Sequence, residues 1–253
     1  MGAFIEIREV EKRFSARAGE RQALRPTSLD IAEGEFVSIV GPSGCGKTTL
    51  MKIVAGLLPP SAGEVRLAGV PVHAPPDGVG IVFQTPTLLK WRTVLDNVLV
   101  PAEATGRSRR EYEPIAHGLI RLVGLEGFAG HYPRELSGGM QQRVAISRAL
   151  LLEPRLLLMD EPFGALDAMT REEMNLELQR IWEEQRKTVL FITHSIDEAV
   201  FLSDRVVVMT LRPGGVREIL DIQLPRPRGL HVREHPRFVE YVGRIRDLIF
   251  TKS

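Results

Sequence analysis

Little in this sequence would hold the chain in a membrane or outside a cell. Its 253 residues include one cysteine, Cys45, so no internal disulfide bond can form, which fits a reducing compartment. No apolar run approaches the roughly 18 to 20 residues of a membrane-spanning helix. We expect no signal peptide, because residues 1–6 carry a carboxylate where such peptides carry positive charge before a long apolar stretch. A role at a membrane would require another chain to hold this one there.

The sequence also lacks an excess of either charge. The 33 basic side chains nearly balance the 32 acidic ones and leave a net charge of +1. Such a balance supplies no broad positive field, so we expect no nucleic-acid partner. What the sequence does have is 43% hydrophobic residues, which is ample for a well-packed globular unit of this length.

Apolar spacing divides the chain into strands and helices. Strands are predicted at residues 4–10, 24–31, 36–40, 156–160, 188–193 and 205–210, with further short strands between turns in 65–82. Helices are predicted at residues 48–57, 93–104, 109–123, 139–152, 170–185 and 197–202. The strand at 205–210 is predicted to be the last. Buried strands that alternate with helices predict an α/β fold with a parallel sheet covered on its faces.

The order of these elements predicts one domain at residues 1–230 and a helical tail at residues 231–253. Within the domain, a sheet core takes about residues 1–84 and 156–215, and a helical insert takes about residues 85–155.

In the tail, Pro236 stands where a helix tolerates proline, in its first turn. An apolar face follows at steps of three and four, formed by Phe238, Tyr241, Val242, Ile245, Leu248 and Ile249. We expect this face to dock on the protein's own core rather than on a partner. The basic residues of the tail are predicted to form a solvated face rather than a lipid contact: Arg226, Arg228, Arg233 and Arg237.

The most specific motif is a glycine-rich loop that follows an apolar strand and opens a helix. Its residues fit the pattern G-x-x-x-x-G-K-[ST] in full: Gly41, Pro42, Ser43, Gly44, Cys45, Gly46, Lys47 and Thr48. Glycines let backbone N–H groups curl around a phosphate, and the helix adds its positive N-terminal end. Lys47 can reach the outer phosphate oxygens, and the Thr48 hydroxyl can ligate Mg²⁺. This loop, with Thr49 beside it, predicts a nucleoside triphosphate site.

A phosphate loop alone leaves kinases, GTPases, helicases and transporters open. A second constellation is the apolar strand at 156–160, which ends in the carboxylates Asp160 and Glu161. Because side chains alternate along a strand, the two should point differently. Asp160 can then hold the Mg²⁺ shell while Glu161 contacts the attacking water, the division that phosphoryl transfer requires.

Residues 136–143, Leu-Ser-Gly-Gly-Met-Gln-Gln-Arg, decide among the phosphate-loop families. Ser-Gly-Gly is a good helix start and makes a second anion site. The segment resembles the signature sequence of ABC-type ATPases, although Met140 replaces the usual glutamine. The resemblance implies a P-loop NTPase (RecA-like) core with an antiparallel β subdomain and an ABC-type α-helical subdomain. It also implies a homodimer with two shared ATP sites, in which one subunit's signature loop caps the other's ATP. Its predicted ATP contacts are Ser137, Gly138, Gly139 and Gln141.

Further elements resemble this family in the family's order. Gln84 is similar to the glutamine that touches Mg²⁺ and relays its state to the membrane partner. Asp167 lies in a segment similar to the loop that crosses the dimer interface. His194 resembles the switch histidine at the γ-phosphate, and Phe14 resembles the aromatic that stacks on adenine, with core packing as its alternative. The resemblance thus implies catalytic roles for Lys47, Gln84, Glu161 and His194, and nucleotide contacts for Phe14 and Asp167.

Residues 84–98 are more discriminating. They resemble the matching segment in importer ATPases for nitrate, sulfonate, taurine and related small anions, although Lys90 stands where proline is usual. That resemblance implies membrane permease subunits, an indirectly coupled solute-binding protein and a peripheral place on the cytoplasmic face of the bacterial inner membrane. Trp91 has two interpretations, an anchor for the permease or a closure of the helical insert's own core. Nothing in an ATPase subunit touches the solute, so the residues do not identify it.

The alternatives are an exporter ATPase, which shares this machinery, and an ABC protein that moves no solute. Members of the latter class typically carry coiled-coil arms, zinc-binding cysteines or two cassettes in one chain. This chain shows one cassette, one cysteine and no long heptad insert. A stand-alone kinase would need an acceptor pocket, and the signature segment argues against it.

Overall fold

The computed structural model describes residues 2–16, 19–210 and 213–251. The strands in those ranges are, in chain order, β1 (Ile5–Ala16), β2 (Gly19–Ile31), β3 (Phe36–Val40), β4 (Ala62–Leu67), β5 (Val70–Pro71), β6 (Val79–Val82), β7 (Leu156–Asp160), β8 (Thr188–Ile192), β9 (Arg205–Met209) and β10 (Val216–Asp221). The helices are α1 (Lys47–Val54), α2 (Val94–Ala104), α3 (Arg109–Leu122), α4 (Gly138–Leu150), α5 (Ala168–Gln185), α6 (Ile196–Leu202) and α7 (Pro236–Phe250). Short 3₁₀ turns lie at Pro133–Glu135 and Leu230–Glu234.

The chain divides into two compact units. The first unit joins Met1–Pro76 with Leu178–Ser253, and the second unit is Asp77–Glu177. The predicted division into one domain at residues 1–230, with a helical insert, and a tail at residues 231–253 stays a prediction. Among the residues that the structure describes, no helix is both long and apolar enough to cross a membrane.

Two sheets build the first unit. One is antiparallel, with the order β2-β1-β4-β5, and in the other β9, β3 and β8 lie side by side as parallel strands with β10 antiparallel at the edge of β9. Every residue of β3 and β8 is buried. Strands that are apolar on both faces need cover on both sides, which explains why they read as continuous apolar runs.

The second unit pairs β6 with β7 in parallel and packs α2, α3 and α4 together. Thr93 accepts a hydrogen bond from the Asp96 N–H at 3.2 Å and so caps α2. Inside this cluster Asn97 is fully buried, and its amide bonds the carbonyls of Leu89, Arg92 and Thr93 at 2.9–3.1 Å. These bonds tie the segment before α2 to the helix itself.

The predicted parallel strands and helices are present with small shifts at their ends, and two predictions are wrong. The strand at 205–210 is not the last, because β10 follows it and pairs antiparallel with β9. The arginines of the tail are not one solvated face, because Arg228 is 2% exposed and packs under α6. The helix that begins at Pro236 is confirmed, and its buried residues Phe238, Val242 and Ile245 belong to the predicted apolar face.

Candidate nucleotide-binding site

The phosphate loop lies in the first unit, between the buried strand β3 and α1. Gly44 and Gly46 have φ values of +76° and +99°, a region that favours glycine. In the structure described, no side chain caps the N-terminus of α1, which begins at Lys47. The first N–H groups of a helix point toward its N-terminus, so those of Lys47, Thr48 and Thr49 face the loop. The geometry is that of an anion cradle, with Ser43 and Gly44 exposed at its rim.

Lys47 folds back over this loop. The side chain is 4% exposed, and its Nζ donates to the carbonyl oxygens of Gly41 at 2.8 Å and Pro42 at 3.3 Å. The Cys45 Sγ lies 4.0 Å from the same nitrogen. Burial raises the pKa of the Cys45 thiol, and the Lys47 charge opposes that rise. The ammonium group of Lys47 therefore lies against the backbone of the loop.

His194 and Phe14 also belong to the first unit. His194 is exposed between β8 and α6, and the backbone on either side of it is fixed by hydrogen bonds. The Thr193 hydroxyl bonds the Glu198 carboxylate at 2.5 Å and accepts from the Ser195 N–H at 3.0 Å. Phe14 lies on β1 and is 41% exposed, with the Lys12 Nζ 5.3 Å from its ring centroid. Its exposure disfavours core packing and leaves a ring face for stacking.

The acidic pair lies in the second unit, at the end of β7. Asp160 is the last residue of the strand and is 8% exposed. Glu161 follows with a φ of +48°, which is uncommon for a residue with a side chain and concentrates at functional sites. Its Oε2 accepts a hydrogen bond from the Gln84 Nε2 at 3.2 Å. The structure thus brings together two predicted site residues that are far apart in sequence.

The signature segment opens α4 in the same unit. Ser137 is the N-cap, and its Oγ accepts from the Met140 N–H at 3.3 Å. Ser137 and Gly138 are exposed, whereas Gly139 is buried. The Gln141 amide nitrogen donates to the carbonyls of Pro133 at 3.0 Å and Leu136 at 3.3 Å. Gln141 therefore braces the loop that precedes the helix.

Asp167 caps the start of α5 beside this segment. Its carboxylate accepts from the Thr170 N–H at 3.0 Å and from the Thr170 hydroxyl at 2.7 Å. These bonds lower the pKa of Asp167 below its ordinary value. A Cβ at Gly139 would lie 2.7 Å from the Thr170 Cγ2, so only glycine lets the two helix starts approach this closely. The Asp167 turn and the signature segment form one surface of the second unit.

Three residues were predicted to bind Mg²⁺ through oxygen: Thr48, Gln84 and Asp160. Among the residues with described positions, no group of three or more His, Cys, Asp or Glu could cage a metal. Mg²⁺ that is bound through phosphates needs only one or two protein ligands. Because the side-chain amide nitrogen of Gln84 donates to Glu161, the amide oxygen of Gln84 is the atom that can bind a cation. Each of the three side chains offers an oxygen of the kind that Mg²⁺ binds, so the residue types fit Mg²⁺ that is held mainly by a nucleotide.

Comparisons with known proteins decide the family. A family model described as ABC transporter matches residues 24–164, more than half of the chain. The chain belongs to the ABC transporter family. It is an ATP-binding domain of that family, and such domains are ATPases, so the predicted enzyme class is confirmed.

Three relatives of this ABC ATPase match along most of their own length. An uncharacterized ABC transporter ATP-binding protein of Methanocaldococcus jannaschii is 49% identical over 97% of this chain and 91% of its own. A taurine import ATP-binding protein of Rhizobium johnstonii is 47% identical, over 93% and 92%. An aliphatic sulfonates import ATP-binding protein of Bacillus cereus is 43% identical, over 88% of each chain.

A solved structure resembles the fold as well. It is a dimeric ATP-binding cassette in a post-hydrolysis state, bound to ADP and Pi, and it aligns with a TM-score of 0.76. The match covers 87% of this chain and 100% of that one, at 34% identity. The predicted fold class of the ABC ATPase is thereby confirmed.

The sequence analysis missed the residues that fix the candidate site residues in place through hydrogen bonds. Thr170, Glu198 and Arg228 hold the Asp167 turn, the His194 loop and the end of α6, respectively. Their side chains form hydrogen bonds with residues that are not part of any sequence motif. For Glu198 a local signal did exist, since it stands three residues after the helix cap Ser195, the spacing of a capping box.

Proposed function

We propose that this ABC ATPase works as a homodimer, with Mg²⁺, and drives an importer for a small anion such as a sulfonate. The observation that carries the proposal is the hydrogen bond between Gln84 and Glu161 at 3.2 Å. It joins the carboxylate predicted to activate water to the segment 84–98, which resembles importer ATPases. A change at the hydrolytic site can therefore reach the segment that would face the permease.

The phosphate loop supplies the binding half of the chemistry. Lys47 would exchange the carbonyls of Gly41 and Pro42 for phosphate oxygens, while the N–H groups at the start of α1 hold the same phosphates. Thr48, Asp160 and Gln84 would ligate Mg²⁺, which when bound neutralises charge on the β- and γ-phosphates. Phe14 would stack on the adenine, since its ring is partly exposed on β1.

The hydrolytic half rests on Glu161 and His194. Glu161 would accept a proton from the attacking water, and the hydrogen bond from Gln84 orients its carboxylate. His194 would contact the γ-phosphate from the loop that Thr193, Ser195 and Glu198 fix. Hydrogen bonds thus hold both the Glu161 carboxylate and the loop that carries His194, which reduces the reorganisation that opposes the reaction.

A dimer completes the site in this proposal. Ser137, Gly138, Gly139 and Gln141 would cap the ATP of the partner subunit, with the Asp167 turn beside them. Ser137 and Gly138 are exposed, so they are accessible to a partner. The related cassette bound to ADP and Pi is dimeric, which supports the same assembly here. Closure on two ATP molecules and release after hydrolysis would give the permease two states.

The second unit offers a surface for the permease. A cavity of about 340 Å³ lies among β6, α2 and α4 and is lined in part by Phe83, directly before Gln84. Trp91 is 74% exposed, so it does not close the core of the helical insert, and exposure suits an interface anchor. We infer that permease subunits dock here and place the ATPase peripherally on the cytoplasmic face of the inner membrane. The relatives named for taurine and sulfonate import support an anion as cargo, delivered by a solute-binding protein.

The test is co-purification of a tagged Glu161→Gln variant from membranes with ATP present. The variant should bind ATP, turn it over much more slowly, and accumulate as a dimer with a polytopic membrane protein. The matched control is the Lys47→Ala, Glu161→Gln double variant, which should recover far less of that protein because ATP no longer closes the dimer. Recovery of soluble partners or nucleic acid alone would overturn the transporter proposal. Unchanged turnover in Glu161→Gln would remove Glu161 from the role of base.

A further inference from the structure

Residues 213–215, the part of the turn directly before β10, lie against the phosphate loop within the first unit. Gly214 has no room for a side chain there. A Cβ built on it would lie 1.6 Å from the carbonyl oxygen of Cys45 and 2.6 Å from the carbonyl carbon. Contacts under 3.0 Å are essentially never seen for a real Cβ. The backbone of the turn therefore rests directly on the backbone of the phosphate loop.

The start of the phosphate loop touches the same strand end. Gly41 has a φ of +156°, and a Cβ on it would lie 2.7 Å from the carbonyl oxygen of Met209, the last residue of β9. The loop thus meets β9 at Gly41 and the following turn at Cys45. Both contacts are between backbone atoms, which cannot move aside as a flexible side chain can.

Strand β2 holds the turn in this place. The Arg25 N–H donates to the Gly214 carbonyl at 2.6 Å, and the Arg25 Nη2 donates to the Thr210 hydroxyl at 3.1 Å. Strand β2 also backs the loop directly, because a Cβ at Gly46 would lie 3.0 Å from the Ala23 carbonyl oxygen. The phosphate loop is therefore confined by β2 and by a turn that is itself bonded to β2.

We propose that Gly214 is a positioning residue for nucleotide binding, which sets the Cys45 carbonyl and hence the direction of the N–H groups at the start of α1. The proposal rests on phosphate binding by this loop. Gly214 touches no phosphate in this role and acts through the backbone of Cys45. A loop displaced at Cys45 turns the N–H groups of Gly46, Lys47 and Thr48 away from the phosphate oxygens.

The adjacent glycine provides a matched control. The three atoms nearest to a Cβ at Gly215 all belong to the Arg25 guanidinium, at 3.1, 3.2 and 3.5 Å, so this flexible group need give by only a few tenths of an ångström and can keep its hydrogen bond to Thr210. Gly214→Ala and Gly215→Ala thus add the same methyl group one residue apart. Only the first displaces the phosphate loop. We expect Gly214→Ala to lower kcat/KM for ATP about 100-fold, the effect of a displacement on the order of 1 Å, mainly through KM, and Gly215→Ala to change it less than about threefold.

Cys45 reports the position of the loop without any further substitution. It is the only cysteine of the chain and is 1% exposed, so a thiol reagent should label it slowly in the folded wild-type protein. Gly214→Ala should increase the labelling rate at least tenfold at a temperature where circular dichroism shows both proteins folded. ATP should protect Cys45 in the wild type and in Gly215→Ala, but only weakly in Gly214→Ala.

A second variant covers the case in which Gly214→Ala does not fold. Thr210→Val removes the hydroxyl that bonds Arg25 and adds no bulk near Cys45, so it should loosen the turn and increase the Cys45 labelling rate by a smaller factor. If Gly214→Ala folds, a Cys45 labelling rate and an ATP affinity at wild-type values would overturn the proposal. If Gly214→Ala does not fold, the same result in Thr210→Val would overturn it. Faster labelling with unchanged ATP affinity would instead contradict phosphate binding by this loop. The two failures are therefore distinguishable.

Discussion

Replacement of Arg228 by methionine should destabilise the first unit strongly. The Arg228 side chain is buried, and burial together with the nearby Arg226 charge lowers its pKa to about 10, so it is still charged at neutral pH. Its Nη1 donates to three carbonyls at the end of α6 at 2.8–3.0 Å, those of Val200, Phe201 and Ser203. Its Nη2 makes two longer bonds of 3.4 Å, to Ile222 and Leu224.

The three short bonds set the magnitude. Each hydrogen bond to a charged group contributes about 1.5–3 kcal/mol to stability, but the cost of burying the guanidinium opposes this gain. Removal of one member of a buried charged network typically lowers stability by about 3–5 kcal/mol. Methionine fills a similar space without donating, so the carbonyls at the end of α6 would stay buried and unpaired. We expect Arg228→Met to lose about 3–5 kcal/mol of unfolding free energy, or roughly 6–20 °C in Tm for a domain of this size.

Urea unfolding followed by circular dichroism measures this loss. The matched control is Arg244→Met, an arginine of the same tail whose ion pair with Glu218 is on the surface, with the Arg244 side chain 62% exposed. Such pairs contribute about 0–1 kcal/mol, so the control should stay near the wild type. A loss below about 1 kcal/mol in Arg228→Met would refute the reasoning, since it would mean that the bonds do not compensate for burial of the charge.

Two further substitutions test the second unit. Ser137→Ala should lose only the helix cap, about 1 kcal/mol of stability, yet lower the ATPase rate about 100-fold if Ser137 contacts the partner's γ-phosphate; a rate loss no larger than the loss of folded protein would contradict that contact. Asp167→Asn tests the lowered pKa of Asp167. Because the pKa is lower in the folded state, the Asp167 carboxylate stabilises the fold at pH values above its ordinary pKa of 3.8. This stabilisation is lost as the pH falls through the lower pKa of the folded state. The stability difference between wild type and Asp167→Asn should thus be constant from pH 7 to about pH 5 and shrink only in more acidic buffer, and a difference that has already vanished at pH 5 would contradict it.

The sequence predicted the elements that local pattern determines. The strand before the phosphate loop, the helix after it and the helix at Pro236 each carry their signal within a few residues. The same holds for the candidate ligand contacts, because the loop at 41–48 and the segment at 136–143 need particular residues side by side. The hydrogen bond between Gln84 and Glu161 was not predictable in this way, since it joins residues 77 positions apart. It depends on the parallel pairing of β6 with β7.

The errors concern residues whose environment is set by distant parts of the chain. Strand β10 was missed because only one of its six residues is buried: Leu220 is 6% exposed, whereas Ile219 is 38% exposed. Arg228 was predicted to be solvated because arginine usually is. Nothing near it in sequence shows that five carbonyls, from α6 and from residues 222–224, will surround it. Tertiary packing decides such positions, and composition does not.

Helix α6 links the buried Arg228 to the candidate site residue His194. It has seven residues, too few to be stable alone, so its order must come from its two ends and its packing. Ser195 caps its first turn, and the bond between Thr193 and Glu198 closes the loop that carries His194. Arg228 caps its last turn. The position of His194 is therefore anchored at one end by its neighbours in sequence and at the other by the tail. A variant of Arg228 that still folds should accordingly show its residual defect at His194, as a lower ATPase rate, rather than in affinity for ATP at the phosphate loop.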